Sequence, residues 1–154
     1  MVAKTDFAHH ALSAQIQAHT FTREYQAICI GHLKEASGTI CAPIGRHPVD
    51  RKKMCVTQQH AKPATTHYMV LAEYRGYSHL RLRLETGRTH QIRVHMAYVG
   101  HPLLGDDVYG TAVKGLEGQC LHAGKIGFVH PVTGAYMEFE RAVPEYFQAL
   151  LDRF

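Results

Sequence analysis

The sequence predicts an α+β fold, a mixed and mostly antiparallel sheet with flanking helices. Three observations carry that expectation. Segments with two-residue alternation are joined by short Gly-containing turns, as in hairpins. Helical and strand segments mix without the βαβ rhythm of a doubly wound sheet. The 154 residues are 45% hydrophobic and 19% charged, a globular balance rather than that of a disordered or coiled-coil chain. No internal repeat, low-complexity tract or Pro/Ser-rich linker divides the chain, so residues 1–154 read as one unit.

The first element is an amphipathic helix from Asp6 to His19, with Phe7, Ala11, Leu12 and Ile16 at helical spacing and Thr5 or Asp6 as its N-cap. Glu24 to Leu33 reads as a strand that is apolar on both faces. Lys34 to Ala64 is the least regular stretch, with Gly38, Gly45, Pro48, Pro63 and a basic run from Arg46 to Lys53. A hairpin follows: His67 to Tyr74, the turn Arg75 to Ser78, and His79 to Glu85. In its second strand Leu80, Leu82 and Leu84 alternate with His79, Arg81, Arg83 and Glu85, which predicts one buried and one mainly cationic face. Thr86-Gly87 ends that strand. Thr89 is the expected cap of a helix through Tyr98, stopped by Gly100 at C′. Cys120 to Val129 and Ala135 to Glu140 read as a second hairpin, and Pro144 begins a last helix ending near Phe154.

The charge balance is 17 − 13 = +4, and thirteen histidines add positive charge only on protonation. A mildly basic domain suits a polyanion, although many enzymes share this value. Cys29, Cys41, Cys55 and Cys120 lie far apart without CxxC spacing, which reads as a reduced, cytoplasmic protein. No apolar run approaches the roughly 18 residues of a membrane span, and Met1 to Asp6 has neither the basic flank nor the apolar run of a signal peptide. No membrane is expected as a partner.

Candidate functional residues are densest from Leu84 to His95. A cationic strand runs there into a Gly turn and a helix start, where free N–H groups with Arg88 and Arg93 can hold an anion. Arginine binds phosphate or carboxylate as a bidentate fork. From spacing alone, an anion site and a solvated connection with surface arginines are both open. A metal site is not expected: His90 and His95 are five apart where one helical face wants four, and no Cys/His cluster has zinc spacing. The GxSxG, P-loop and GxGxxG patterns are absent.

Arg83-Leu84-Glu85-Thr86-Gly87-Arg88-Thr89-His90-Gln91-Ile92-Arg93-Val94-His95-Met96, followed by Gly100-His101-Pro102-Leu103-Leu104-Gly105-Asp106, resembles the signature of RluA-type pseudouridine synthases. Further matches are Val2-Ala3-Lys4-Thr5, Tyr25-Gln26-Ala27, Ile44-Gly45-Arg46-His47-Pro48, Lys62-Pro63-Ala64-Thr65-Thr66, Leu121-His122-Ala123 and His130-Pro131-Val132-Thr133-Gly134. The resemblance implies an RNA-modifying enzyme of ribosomal or transfer RNA that isomerises uridine to pseudouridine without cofactor or metal. An Asp attacks a flipped-out nucleotide, and the uracil detaches, rotates and rejoins through C5. It implies Arg93 as the partner that keeps the carboxylate ionised, and Tyr25 as the tyrosine that stacks on the base and handles a proton. Arg46, Arg51, Arg88, Thr89, His90 and Gln91 are the expected RNA-binding residues, which orient the substrate through its phosphates. Leu84, Ile92 and Leu104 frame the pocket floor or fill the core.

The family's nucleophile lies in a His-Arg-Leu-Asp-x-x-Thr-Ser-Gly type motif, just before the segment matched by Met1 to Thr5. None of Asp6, Asp50, Asp106, Asp107 and Asp152 has a similar context. Two readings follow: a partial catalytic domain lacking the nucleophilic Asp, which is favoured because Tyr25 and Arg93 are kept, or a non-catalytic RNA-binding paralogue. A small-anion site at Thr86 to Arg93 is a third, competitive only without the resemblance. The polypeptide alone is expected to be inactive. Its partners are expected to be RNA, and either the missing portion or a second copy along an exposed sheet edge.

Overall fold

The computed structural model describes residues 3–17 and 21–154. In chain order the elements are α1 (Asp6–Gln17), β1 (Thr22–Ile30), β2 (Ser37–Cys41), β3 (Ile44–Arg46), β4 (Met54–Val56), β5 (Thr65–Tyr74), β6 (Tyr77–Leu84), α2 (Gln91–Tyr98), β7 (Leu121–Val129), β8 (Tyr136–Glu140) and α3 (Glu145–Arg153). Six strands form one sheet in the order β2-β5-β6-β1-β7-β8, and β3 and β4 form a separate ribbon. Every pairing is antiparallel.

The alternation in β6 sorts the sheet into two faces. Ala27 pairs with Leu80 and Tyr25 with Leu82, so these side chains share one face. Ile92 and Met96 of α2 close over it, and Ala27, Leu80, Leu82 and Met96 are fully buried. The ribbon packs on the outer side of α2 through Ile44, Ala64 and Val94. On the opposite face α3 buries Phe147 and Leu151 against Ile28, Leu104 and Cys120. That face is therefore only partly cationic. His79 meets the edge of Phe147 with ring centroids 5.6 Å apart and bonds Gln26 at 2.8 Å, which leaves Arg81 and Arg83 exposed.

Several boundaries differ from the expectation. Thr5 caps α1, its Oγ1 accepting from the Ala8 N–H at 3.1 Å, and the proposed continuation to His19 lies outside the described residues. β1 begins at Thr22 and ends at Ile30 rather than running from Glu24 to Leu33. The stretch read as irregular contains β2, β3 and β4. These strands have five, three and three residues, too short for alternation to emerge. α2 does stop at Gly100, whose φ of +88° is a region open to glycine. The His101 and Gly100 N–H groups donate to Met96 and Ala97 at 2.8 and 3.0 Å.

Candidate functional site

Thr89 does not cap α2. It is exposed, and the N-cap is His90 at φ 55°, ψ 27°, with no capping bond from its own side chain. Gln91 organises this end instead. Its Oε1 accepts from the Thr86 hydroxyl at 2.7 Å and the Arg88 N–H at 3.0 Å, and its Nε2 donates to Thr65 O at 3.0 Å and Thr66 Oγ1 at 2.9 Å. The whole donor and acceptor capacity of this buried amide goes to holding the turn against β5. Gln91 therefore shapes the site from inside and presents nothing outward.

The turn so held displays Arg88, whose Nε donates to Pro63 O at 2.8 Å. Arg46, Lys62, Gly87, Arg88 and Thr89 line a cavity of about 320 Å³ with no acidic side chain in its wall. Arg46 and Arg51 are exposed, and Arg46 Nη1 donates to Arg51 O at 2.6 Å, curling the basic loop upon itself. The fold thus gathers Arg46, Arg88 and Thr89 around one cavity and keeps Arg51 on its rim loop.

One helical step further, Arg93 is buried. Its Nε donates to Asp106 Oδ2 and its Nη2 to Asp106 Oδ1, both at 2.9 Å, a fork matched to a carboxylate. Asp106 Oδ1 also accepts from the Val108 and Tyr109 N–H groups at 3.0 and 3.1 Å. Burial pushes the Asp106 carboxyl up, but the guanidinium and these N–H groups outweigh it and hold it below the ordinary range. The hydrogen bonds that Arg93 donates to Asp106 hold the guanidinium charged, against the effect of its own burial. Arg93 lies 5.1 Å from the Tyr109 ring centroid. The Tyr109 hydroxyl accepts from the Met54 N–H at 3.0 Å and shares a hydrogen bond with His90 Nδ1 at 2.8 Å. Burial and then Arg93 lower the His90 pKa, which favours the neutral ring.

Asp106 and Tyr109 are site residues that sequence reasoning missed. Asp106 stood within the quoted signature, but its partner is 13 positions away and no local period links them. With no exposed surface and both oxygens engaged, Asp106 braces the guanidinium and is not placed to attack a substrate. Arg93 Nη1 forms no hydrogen bond among the described residues.

Tyr25 is half-buried against the same apolar cluster as Ile92, on the sheet face beneath α2. It lines a cleft of mixed charge with Glu24, Gln26, Arg81, Lys125 and Glu140. Tyr25 thus packs with Ile92 of α2, whereas the neighbouring Arg93 turns to Asp106 and Tyr109.

Comparison with known proteins agrees with this architecture. The model of the RNA pseudouridylate synthase family matches residues 1–98. An uncharacterized RNA pseudouridine synthase, YlyB, of Bacillus subtilis is 48% identical over 153 residues, 99% of this chain and 50% of the relative. Ribosomal large subunit pseudouridine synthase D of Pseudomonas aeruginosa is 48% identical over 98% of this chain and 51% of its own length. The Escherichia coli K12 protein of the same name is 42% identical over 99% and 50%. The chain thus spans about half the length of these relatives. Among solved structures, human RNA pseudouridylate synthase domain containing 1 superposes with a TM-score of 0.80 at 30% identity, covering 99% of this chain and 66% of that one. With the signature turn, the buried arginine and the antiparallel sheet in place, the chain belongs to the RNA pseudouridylate synthase family.

Proposed function

We propose that this chain is the tyrosine- and arginine-bearing part of a catalytic domain that isomerises uridine to pseudouridine in ribosomal or transfer RNA. The nucleophilic carboxylate comes from sequence outside these 154 residues. The observation that carries this reading is the state of Arg93: buried, charged, fixed by Asp106 through Nε and Nη2, with Nη1 left for another carboxylate. A second carboxylate there is held ionised and ready to attack. Tyr25 stacks on the extruded uracil and handles its proton. Arg46, Arg51, Arg88, Thr89 and His90 orient the RNA backbone, and neither metal nor cofactor takes part.

By itself the 154-residue polypeptide binds RNA without turning uridine over. The test is ribosomal and transfer RNA transcripts carrying tritium at uridine C5. Retention of RNA by the purified chain without tritium release is expected. Release of tritium overturns the inactivity, and absence of RNA binding overturns the RNA reading.

The setting is a reducing cytoplasm. Its support is four free cysteines, of which burial pushes the Cys29 and Cys120 thiols up to about 11, leaving them protonated and inert. The chain also associates along an exposed sheet edge, with a further portion of the protein or with a second copy. Strand β8 ends the sheet and exposes Tyr136 and Phe139, which supports this. Light scattering is expected to give a mass above the monomer, and a stable monomer overturns self-association.

A further inference from the structure

Arg23 lies two residues before Tyr25 on β1 and has no role in the site described above. Its Nε is buried without a hydrogen-bond partner, and it forms no ion pair among the described residues. Buried polar groups are nearly always paired, so an orphaned guanidinium N–H calls for a reason. The guanidinium also occupies the space that any side chain at position 87 would need: a Cβ on Gly87 would fall on Arg23 Nη1. Glycine there admits the arginine beneath the signature turn. Burial lowers the Arg23 pKa, the neighbouring Tyr25 opposes this, and Arg88 lowers it again. Two guanidinium groups thus flank one turn with no carboxylate paired to Arg23.

We propose that Arg23 and Arg88 together form an anion subsite that grips one RNA phosphodiester, next to the nucleotide that stacks on Tyr25. This rests on the RNA reading above and adds a residue to it. A phosphate offers acceptors for two guanidinium forks at once, which one carboxylate does less well. Arg23 itself lines a hollow with His67, Arg83 and Glu85, whose carboxylate lies 3.4 Å from His67. The cavity that Gly87 and Arg88 line with Arg46 and Lys62, which has no acidic wall, continues the track for the flanking phosphates. Bound phosphate gives the Arg23 fork its partner, relieves repulsion between the two arginines, and fixes the strand beside Tyr25.

The test uses the 154-residue chain and a labelled oligouridylate twelve nucleotides long, titrated from about 50 to 200 mM KCl. R23A is expected to bind about tenfold more weakly, the size of a lost charge-assisted contact. Its slope of log K against log salt is expected to fall by about 0.7, one single-strand phosphate. R23Q keeps the stem and its packing, and the same loss is expected from it. Because both arginines grip one phosphate, R23A/R88A is expected to fall well short of the product of the single losses. If the unaltered chain binds the oligonucleotide and R23A and R23Q match it, the subsite is overturned while the RNA reading stands. Losses that multiply overturn the shared phosphate. No binding by the unaltered chain overturns both readings.

Discussion

Asp106 holds Arg93 by both carboxylate oxygens at 2.9 Å, and it has no exposed surface. Removing one partner of such a pair leaves a buried charge unmatched, which costs about 3–5 kcal/mol. D106N is expected to lose stability of that order in urea denaturation. R93M/D106N removes both charges while keeping an oxygen for the Val108 and Tyr109 N–H groups, and is expected to cost less than D106N alone. A double variant no better than the single would mean that packing, rather than the ion pair, fixes this corner.

Gln91 and Thr89 make a paired prediction about the start of α2. Q91A orphans the Arg88 N–H, so a loss of about 2–3 kcal/mol is expected from the buried groups left unsatisfied. T89A is expected to stay within about 0.5 kcal/mol because the side chain is exposed and caps nothing. Equilibrium unfolding of the two variants checks this. A T89A loss near 1 kcal/mol, typical of a deleted N-cap, would return that role to Thr89.

Gly87 and Arg23 compete for one space. In G87A the end of a flexible side chain yields rather than backbone, so the change in stability is expected to stay within about 1 kcal/mol. RNA affinity is expected to fall as in R23A, because the displaced guanidinium no longer faces the phosphate. Thermal unfolding and oligouridylate titration of G87A separate the two effects. Wild-type affinity in a folded G87A would show that Arg23 does its work elsewhere.

What the sequence made legible is what short-range periods encode. Leu80 and Leu82 alternating with Arg81 and Arg83 located β6 and its buried face, and the Gly100 stop of α2 followed from a single residue type. The β3–β4 ribbon escaped because three residues a strand, Gly45 and Arg46 among them, show no alternation. The capping of α2 escaped because Gln91 reaches back from inside the helix, while the exposed Thr89 fits the usual N-cap pattern. In the candidate site, the turn with Arg88 and Arg93 of the signature was visible. The pairing of Arg93 with Asp106, and the intrusion of Arg23 under Gly87, depend on chain crossings that no local pattern contains.

His95 sets the pH dependence of stability. Fully buried, its Nε2–H donates to Ala42 O at 2.9 Å and its Nδ1 accepts from the Thr66 hydroxyl at 2.8 Å, which in turn accepts from Gln91. The ring is neutral in this chain of bonds, and burial lowers its pKa, only partly offset by the bond to Ala42. A histidine depressed in the folded state binds its proton more readily once unfolded. Its contribution is therefore complete above the unfolded value of about 6.5 and is lost as pH falls below it, with a slope of at most about 1.4 kcal/mol per pH unit. Burial depresses His79 and His90 as well, so they add in the same direction, weakened by their partial exposure. Urea unfolding at pH 7.5, 6.5 and 5.5 is expected to show a small loss of stability between the first two and a steeper loss toward the third. H95Q, which keeps one donor and one acceptor, is expected to start lower at pH 7.5 and to lose less on acidification. Parallel profiles for the two proteins would assign the acid sensitivity to His79 and His90 instead.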